Sequence, residues 1–179
     1  GDSPAVLNAL VDLSIERPGV VGVDLAGGPL PTHRWRLADY GPVFQRARRL
    51  GLGTTVHAGE GRSPEEIWTA IEVLGAQRIG HGTTLLDAPE LVDLVRQRAV
   101  CIEACVTSNW HVGAIPERSA HPLPQWLKLD LDVCICTDNV LLSGVDAADE
   151  YRLARDLPGM TSGLLDSAIE SGARARFQR

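Results

Sequence analysis

The chain has 179 residues, of which 44% are hydrophobic and 22% are charged, and its formal net charge is −6. This length suits a single domain, and the composition is that of a packed globular core, which argues against a disordered chain. The acidic balance argues against a nucleic-acid partner, and no apolar run approaches the roughly 18 residues that a membrane helix needs.

Segments with helical and strand-like patterns of apolar residues alternate along the chain. Asp2 or Ser3, followed by Pro4, predicts the start of a helix, and β-branched runs bounded by glycine or proline predict buried strands. The predicted strands span residues 20–25, 54–60, 78–82, 100–106 and 132–139. Further helices are predicted from near residues 38, 63, 87, 123, 146 and 162, and the segment that carries Trp110, His111 and His121 is predicted to be a loop.

This alternation predicts an α/β fold with a parallel sheet and right-handed crossovers. No linker, low-complexity tract or internal repeat interrupts residues 1–179, so we expect one domain. The segment Ser63-Pro64-Glu65-Glu66 has the pattern of a capping box at the start of the third helix.

Cysteine and lysine usage narrows the class of protein. The four cysteines lie in apolar, strand-like runs, so we expect buried free thiols rather than a zinc ribbon, and a reducing, cytoplasmic setting. Lys128 is the only lysine and falls on a predicted helix, which argues against a Schiff-base aldolase and against a lysine-bridged binuclear hydrolase. Neither a G-x-S-x-G elbow nor a G-x-x-x-x-G-K-[ST] phosphate loop occurs.

Each predicted strand ends on polar residues. Because the carboxyl ends of parallel strands face the active site in α/β folds, we expect these side chains to converge. Any one of them alone could be a structural hydrogen-bonding group, but five strands in succession favour a site. These residues are Asp24, His57 with Glu60, His81, Glu103 with Ser108 and Asn109, and Asp138 with Asn139.

The residue types predict metal-assisted hydrolysis. His57 and Asp138 stand on different strands and offer the imidazole and carboxylate groups that zinc binds. Glu60 is placed to reach a substrate, and His81 is placed to hydrogen-bond the metal-bound water. We interpret Asp24 and Glu103 as supporting hydrogen-bonding groups, and His33, His111 and His121 as solvated loop histidines.

Five motifs make the chain similar to the adenosine deaminase family. Residues 55–60 read T-V-H-A-G-E and residues 78–82 read R-I-G-H-G, as in that family. Residues 21–27 resemble its V-G-x-D-L-A-G, residues 107–109 with Gly113 resemble its S-N-x-x-T-G, and residues 137–139 resemble its T-D-D or T-D-N. The motifs appear in the family's order between residues 20 and 144.

The resemblance implies a (β/α)8 barrel with one zinc ion that deaminates adenosine, or a related adenine nucleoside, to the inosine analogue and ammonia by hydrolysis. The implied roles are zinc ligation by His57 and Asp138, protonation of the purine ring by Glu60, orientation of the zinc-bound hydroxide by His81, and purine contacts by the Gly27 backbone and the Asn139 amide. Asn139 stands where many members have a second aspartate, and Val106 replaces a proline.

The family's H-x-H motif, which supplies two more zinc ligands from the first strand, is absent from the chain. A complete barrel needs about 200 residues or more. We therefore expect strands four to eight of a barrel, with the missing strands upstream in the gene product or on a companion chain, and no deamination by this chain alone. The alternative is a catalytically silent half-barrel that binds a partner chain or a purine without turnover.

Overall fold

Five parallel strands form one sheet in the structure, a computed structural model that describes residues 3–27 and 33–178. The strands are paired in chain order, each with the next. They are β1 (Gly22–Leu25), β2 (Gly53–Ala58), β3 (Arg78–His81), β4 (Cys101–Ala104) and β5 (Val133–Ile135). This order confirms the predicted parallel α/β fold and is the strand order of a barrel wall.

Helices precede, connect and follow these strands. They are α1 (Pro4–Glu16), α2 (Gly41–Arg49), α3 (Glu65–Thr69), α4 (Pro89–Gln97), α5 (Val106–His111), α6 (Leu123–Lys128), α7 (Val140–Ser143), α8 (Ala147–Arg155) and α9 (Ser162–Arg174). A 3-10 turn at Leu37–Tyr40 precedes α2, and a π-helical turn at Ala70–Leu74 extends α3. Ser3 caps α1 as predicted, and the alternative cap Asp2 lies outside the described residues.

The helices bury their apolar faces in one core with the sheet. Phe44 on α2, Ile67 on α3 and Leu123 on α6 are at most 1% exposed. Full burial of a side chain of this size contributes about 1.5–3 kcal/mol relative to an exposed position. The packed helices therefore hold the strands in place, and the strand ends become a rigid platform for polar side chains.

Phe177, after α9, lies against the amino-terminal ends of β1 and β2. A Cβ atom at Gly22 or Gly53 would lie 2.8 or 2.2 Å from the Phe177 ring, so both strands need glycine at this level. The Arg78 guanidinium stacks 3.5 Å from the centre of the same ring. Arg78 also donates to Glu103 Oε1 at 3.1 Å, which is the hydrogen-bonding role predicted for Glu103.

Two predicted strands end early, and short helices take up the residues that follow. β4 ends at Ala104, and α5 occupies residues that the sequence predicts as strand and loop. β5 ends at Ile135, and α7 begins at Val140 with Asn139 as its cap. With six and four residues, α5 and α7 are too short for apolar periodicity to reveal.

The capping box predicted at residues 63–66 does not form. The Ser63 hydroxyl accepts from the Glu65 N–H at 3.3 Å. The Glu66 carboxylate accepts from the Gly59 N–H at 3.1 Å and from Arg62 Nε at 2.9 Å, instead of from Ser63. The guanidinium charge and the free N–H of the turn that leaves β2 are stronger partners for this carboxylate than the backbone before α3.

The four cysteines are free thiols, as predicted; Cys101, Cys105 and Cys134 are also buried as predicted, whereas Cys136 is half-buried. Burial raises the pKa of the Cys105 thiol well above its ordinary value, and the sulfur atoms of Cys134 and Cys136 lie 3.7 Å apart. Within the described ranges, no helix is long and apolar enough to cross a membrane.

Candidate active site

Three side chains with metal-binding atoms converge at the carboxyl ends of the strands. His57 lies on β2, His81 ends β3, and Asp138 follows β5. One ligand atom of each lies within 4.8 Å of the other two. In the part of the chain that the structure describes, no other group of three or more His, Cys, Asp or Glu residues converges in this way. The structure therefore brings the two predicted zinc ligands together and adds His81 to them.

The backbone bends sharply at two of these residues. His81 and Asp138 have φ angles of 71° and 58°, in the left-handed region that side-chain-bearing residues seldom adopt outside turns and functional sites. This conformation turns the chain as it leaves the sheet and points both side chains toward the shared space. Gly80 lies opposite His57 in the register, and a Cβ atom there would be 3.1 Å from His57 Nδ1, so glycine leaves room for the imidazole.

Hydrogen bonds orient both predicted zinc ligands. Nδ1 of His57 lies 3.1 Å from Asp24 Oδ1, and the Ser108 hydroxyl donates to Asp138 Oδ2 at 2.5 Å. The Asp24 contact keeps the His57 proton on Nδ1 and leaves Nε2 free, as is usual for a metal-binding histidine. Burial lowers the pKa of His57, but the hydrogen bond to Asp24 and the nearby carboxylate charges outweigh it and raise the pKa above its ordinary value.

Glu60 lies on the turn that leaves β2 and faces His81. Its Oε1 atom is 3.6 Å from His81 Nε2, and its Oε2 atom is 3.7 Å from the Arg62 guanidinium. Burial raises the pKa of Glu60, and the positive charge of Arg62 offsets only part of this effect. A carboxyl group with a raised pKa keeps its proton to higher pH and can act as a general acid.

Glu66, which the sequence predicts only as a member of a capping box, holds this turn. Its carboxylate binds the N–H of Gly59, the residue before Glu60. Gly59 has a φ of 65°, and a Cβ atom there would lie 2.7 Å from Ile67 Cδ1, so only glycine fits. The position of the Glu60 carboxyl therefore depends on Glu66 and Gly59 together.

His81 is buried and hydrogen-bonded through its second nitrogen. Its Nδ1 atom lies 2.8 Å from Asn109 Nδ2, while its Nε2 atom faces Glu60. Burial, followed by the charge of His57, lowers the pKa of His81 to about 4. The imidazole is therefore neutral at neutral pH, in ring contact with His57 at a centroid distance of 4.7 Å.

The three histidines predicted to be solvated differ in position. His111 is exposed at the end of α5, as predicted, and the half-buried His33 lines a cavity. His121 is only 3% exposed, so the prediction for it is wrong. The reason is that both of its ring nitrogens find partners inside the protein, the Asn109 side chain and the Leu123 N–H, and its ring packs edge-on against Trp126.

A cavity of about 590 Å³ opens beside His57, with Gly27 and Trp35 in its wall. Gly27 is exposed and has a φ of 91°. Asn139 is also exposed, and its Oδ1 atom accepts from the Leu142 N–H at 3.1 Å, which leaves the amide nitrogen free to donate. The purine contacts expected from Gly27 and Asn139 stay predictions.

Comparison with known proteins identifies the family and supports the fold. A family model described as adenosine deaminase matches residues 3–178. The adenosine deaminase of Serratia proteamaculans is 36% identical over 173 residues, which are 97% of this chain and 51% of that protein. The chain thus spans about half the length of the curated relatives that it matches.

Two solved structures share the architecture. The N6-methyl-AMP deaminase of Arabidopsis thaliana has a TM-score of 0.86 and 25% identity, and the match covers 99% of this chain and 52% of that one. An amidohydrolase of Burkholderia ambifaria, solved with bound Zn, has a TM-score of 0.86 and 22% identity, with coverage of 99% and 50%. Because the five strands match about half of each of these larger chains, the predicted partial barrel is confirmed.

Proposed function

The chain belongs to the adenosine deaminase family, and we propose that residues 1–179 form one domain, the carboxyl-terminal part of a zinc-dependent hydrolase that deaminates adenosine or a related adenine nucleoside. The observation that carries this proposal is the convergence of His57, His81 and Asp138, with Glu60 beside His81. The names of the relatives support it, because the Serratia protein is named an adenosine deaminase and the Arabidopsis protein an N6-methyl-AMP deaminase.

The donor set fits a zinc ion. Zinc binds imidazole nitrogen and carboxylate oxygen, and a catalytic zinc typically has three protein ligands and one open position. His57 and Asp138 would hold the ion, since their hydrogen bonds with Asp24 and Ser108 already orient them. We propose that further ligands come from strands in the same gene product or on a companion chain. A zinc ion bound there would supply an activated water at neutral pH.

The side chains of this chain would position the reactants and move a proton. Glu60 donates its proton to the purine ring nitrogen next to the carbon under attack, which makes that carbon a better electrophile. His81 lies beside Glu60 and orients the attacking water through a hydrogen bond. The water oxygen bonds to the carbon that bears the amino group, and one water proton passes to the departing amino group while the other restores the proton of Glu60. The carbon–nitrogen bond then breaks, and the products are ammonia and the inosine analogue, which keeps the proton on its ring nitrogen.

Two residues at the mouth of the site would bind the purine. The Gly27 backbone is accessible on the wall of the cavity beside His57. The Asn139 amide nitrogen can donate to the purine N7 atom while its oxygen caps α7. An aspartate at this position could donate only when protonated, so asparagine preserves the donor at neutral pH.

Adenosine turnover, followed by ultraviolet absorbance, tests the proposal. The 179-residue chain is assayed with zinc, alone and mixed with the half of the Serratia protein that it does not match. We expect turnover only in the mixture, abolished by Glu60→Gln and retained by Glu65→Gln, which changes an exposed residue five positions away. Turnover by the chain alone would contradict the division of the zinc site, and tight association without turnover would favour the silent half-barrel.

A further inference from the structure

A chain of buried hydrogen bonds connects the backbone of α6 to His81. The Leu123 N–H donates to His121 Nδ1 at 3.1 Å, and His121 Nε2 lies 3.1 Å from Asn109 Oδ1. Asn109 Nδ2 lies 2.8 Å from His81 Nδ1. The three side chains are at most 3% exposed, so the protein shields every link from solvent.

The direction of each hydrogen bond follows from the first one. A backbone N–H can only donate, so Nδ1 of His121 accepts and carries no proton. Burial lowers the pKa of His121 to about 3, so the ring is neutral and its single proton is on Nε2, which donates to Asn109 Oδ1. Asn109 must then present its amide nitrogen to His81, whose Nδ1 accepts. The proton of neutral His81 is therefore on Nε2.

The reversed orientation of the Asn109 amide would leave hydrogen-bond donors facing each other. Turning the Asn109 amide by half a rotation would put its nitrogen against the Nε2–H of His121. It would also require His81 to carry its proton on Nδ1. No solvent is in reach to satisfy the displaced donors, because all three side chains are buried.

We propose that Asn109 and His121 are positioning residues that keep the proton of His81 on Nε2, the nitrogen that faces Glu60 and the attacking water. The catalytic consequence rests on the proposed function, whereas the tautomer itself does not. With Nδ1 accepting from Asn109 and Nε2 protonated, neutral His81 has no free lone pair. It therefore stabilises the attacking oxygen by donating a hydrogen bond and does not remove a proton from it.

Nitrogen-15 NMR of the 179-residue chain identifies the tautomer of His81 without substrate or turnover. Long-range proton–nitrogen correlations separate protonated from unprotonated ring nitrogens, and His81→Gln assigns the signals of His81. We expect the Nε2–H form to exceed the Nδ1–H form at least about five to one, since an unpaired buried donor is costly. A dominant Nδ1–H form, or an even mixture, would overturn the proposal. If His81 is in the Nε2–H form but the chain never supports deamination, this inference is supported and the proposed function is contradicted.

Two variants then test the two positioning residues. Asn109→Asp presents only acceptor atoms, so we expect the His81 proton to move to Nδ1. His121→Phe removes the donor that fixes the Asn109 amide, so we expect the ratio of the two tautomers to approach one to one. Thr107→Val is the matched control on α5, because the buried Thr107 hydroxyl has no hydrogen-bond partner among the described residues. A variant that folds by circular dichroism and keeps the original tautomer would assign the substituted residue a merely structural role.

Discussion

Asp24 and His57 stand on neighbouring strands, with Asp24 Oδ1 3.1 Å from His57 Nδ1. The carboxylate fixes the imidazole orientation and leaves Nε2 for a metal, and a partner of this kind typically contributes 10–100-fold to metal affinity. We therefore expect Asp24→Ala to weaken zinc binding by about 10–100-fold, measured by competition with a chelating dye in the mixture with the half of the Serratia protein that the chain does not match.

The matched control for this substitution is Asp93→Ala. Asp93 is exposed on α4 and pairs with Arg96 rather than with a predicted zinc ligand. Its removal should leave zinc affinity unchanged. Equal affinities for the Asp24 and Asp93 variants would show that Asp24 does not orient a metal ligand.

Glu66→Ala should destabilise the chain through the turn that carries Glu60. The substitution leaves the Gly59 N–H and the Arg62 guanidinium without their carboxylate partner. We expect the free energy of unfolding in urea to fall by about 1–3 kcal/mol. Glu65→Ala, at the exposed neighbouring position on α3, should change it by less than about 0.5 kcal/mol. A loss of the same size in both variants would argue against a specific role for Glu66.

Gly53→Ala should destabilise the chain by forcing Phe177 away from the sheet. The new Cβ atom would lie 2.2 Å from Phe177 Cγ, and overpacking of this kind costs about 1–3 kcal/mol. Combined with Phe177→Ala, the same substitution should cost much less, because the clashing ring is gone. Additive losses in this double-mutant cycle, measured by denaturation, would mean that the two residues do not touch.

The free energy of unfolding should decrease as the pH is lowered, and His121 should account for part of this decrease. Burial lowers its pKa to about 3 from an ordinary value of 6.5. Below pH 6.5 the unfolded chain binds a proton here that the folded chain does not bind. The stability contributed by the neutral ring is thus complete above pH 6.5 and decreases as the pH falls toward 3.

His121→Gln removes this titration, so its free energy of unfolding should decrease less steeply over the same pH range. The difference in slope is at most about 1.4 kcal/mol per pH unit. His111→Gln changes an exposed histidine and should leave the slope of the unchanged chain intact. Parallel profiles for the His121 variant and the unchanged chain would contradict this account of the buried imidazole.

The sequence predicts the sheet and most of the site because these features are local. The β-branched run before His57 marks one strand, and Val133 and Ile135 on either side of Cys134 mark another. Polar residues at strand ends meet wherever parallel strands share an edge. Asp24 could be recognised as a supporting group for the same reason. A pattern of alternating strands and helices therefore predicts which residues come near one another at the carboxyl ends.

The residues that hold the site side chains in position could not be predicted in the same way. Asn109 and His121 are 12 residues apart, and their hydrogen bond depends on the short helix α5, which has no readable periodicity. Glu66 fits a capping pattern, yet its carboxylate binds the turn before it, because tertiary contacts bring stronger donors within reach. Such choices between competing partners are decided by three-dimensional packing.

The central claim is that the strand ends of this chain hold part of a zinc site. The most direct test is a crystal of the 179-residue chain assembled with the half of the Serratia protein that it does not match, grown with zinc, with anomalous diffraction data collected at the zinc edge. The account predicts an anomalous peak about 2.0–2.2 Å from His57 Nε2 and from an Asp138 carboxylate oxygen. Zinc bound instead at the cysteines or at His33, with none between His57 and Asp138, would contradict it.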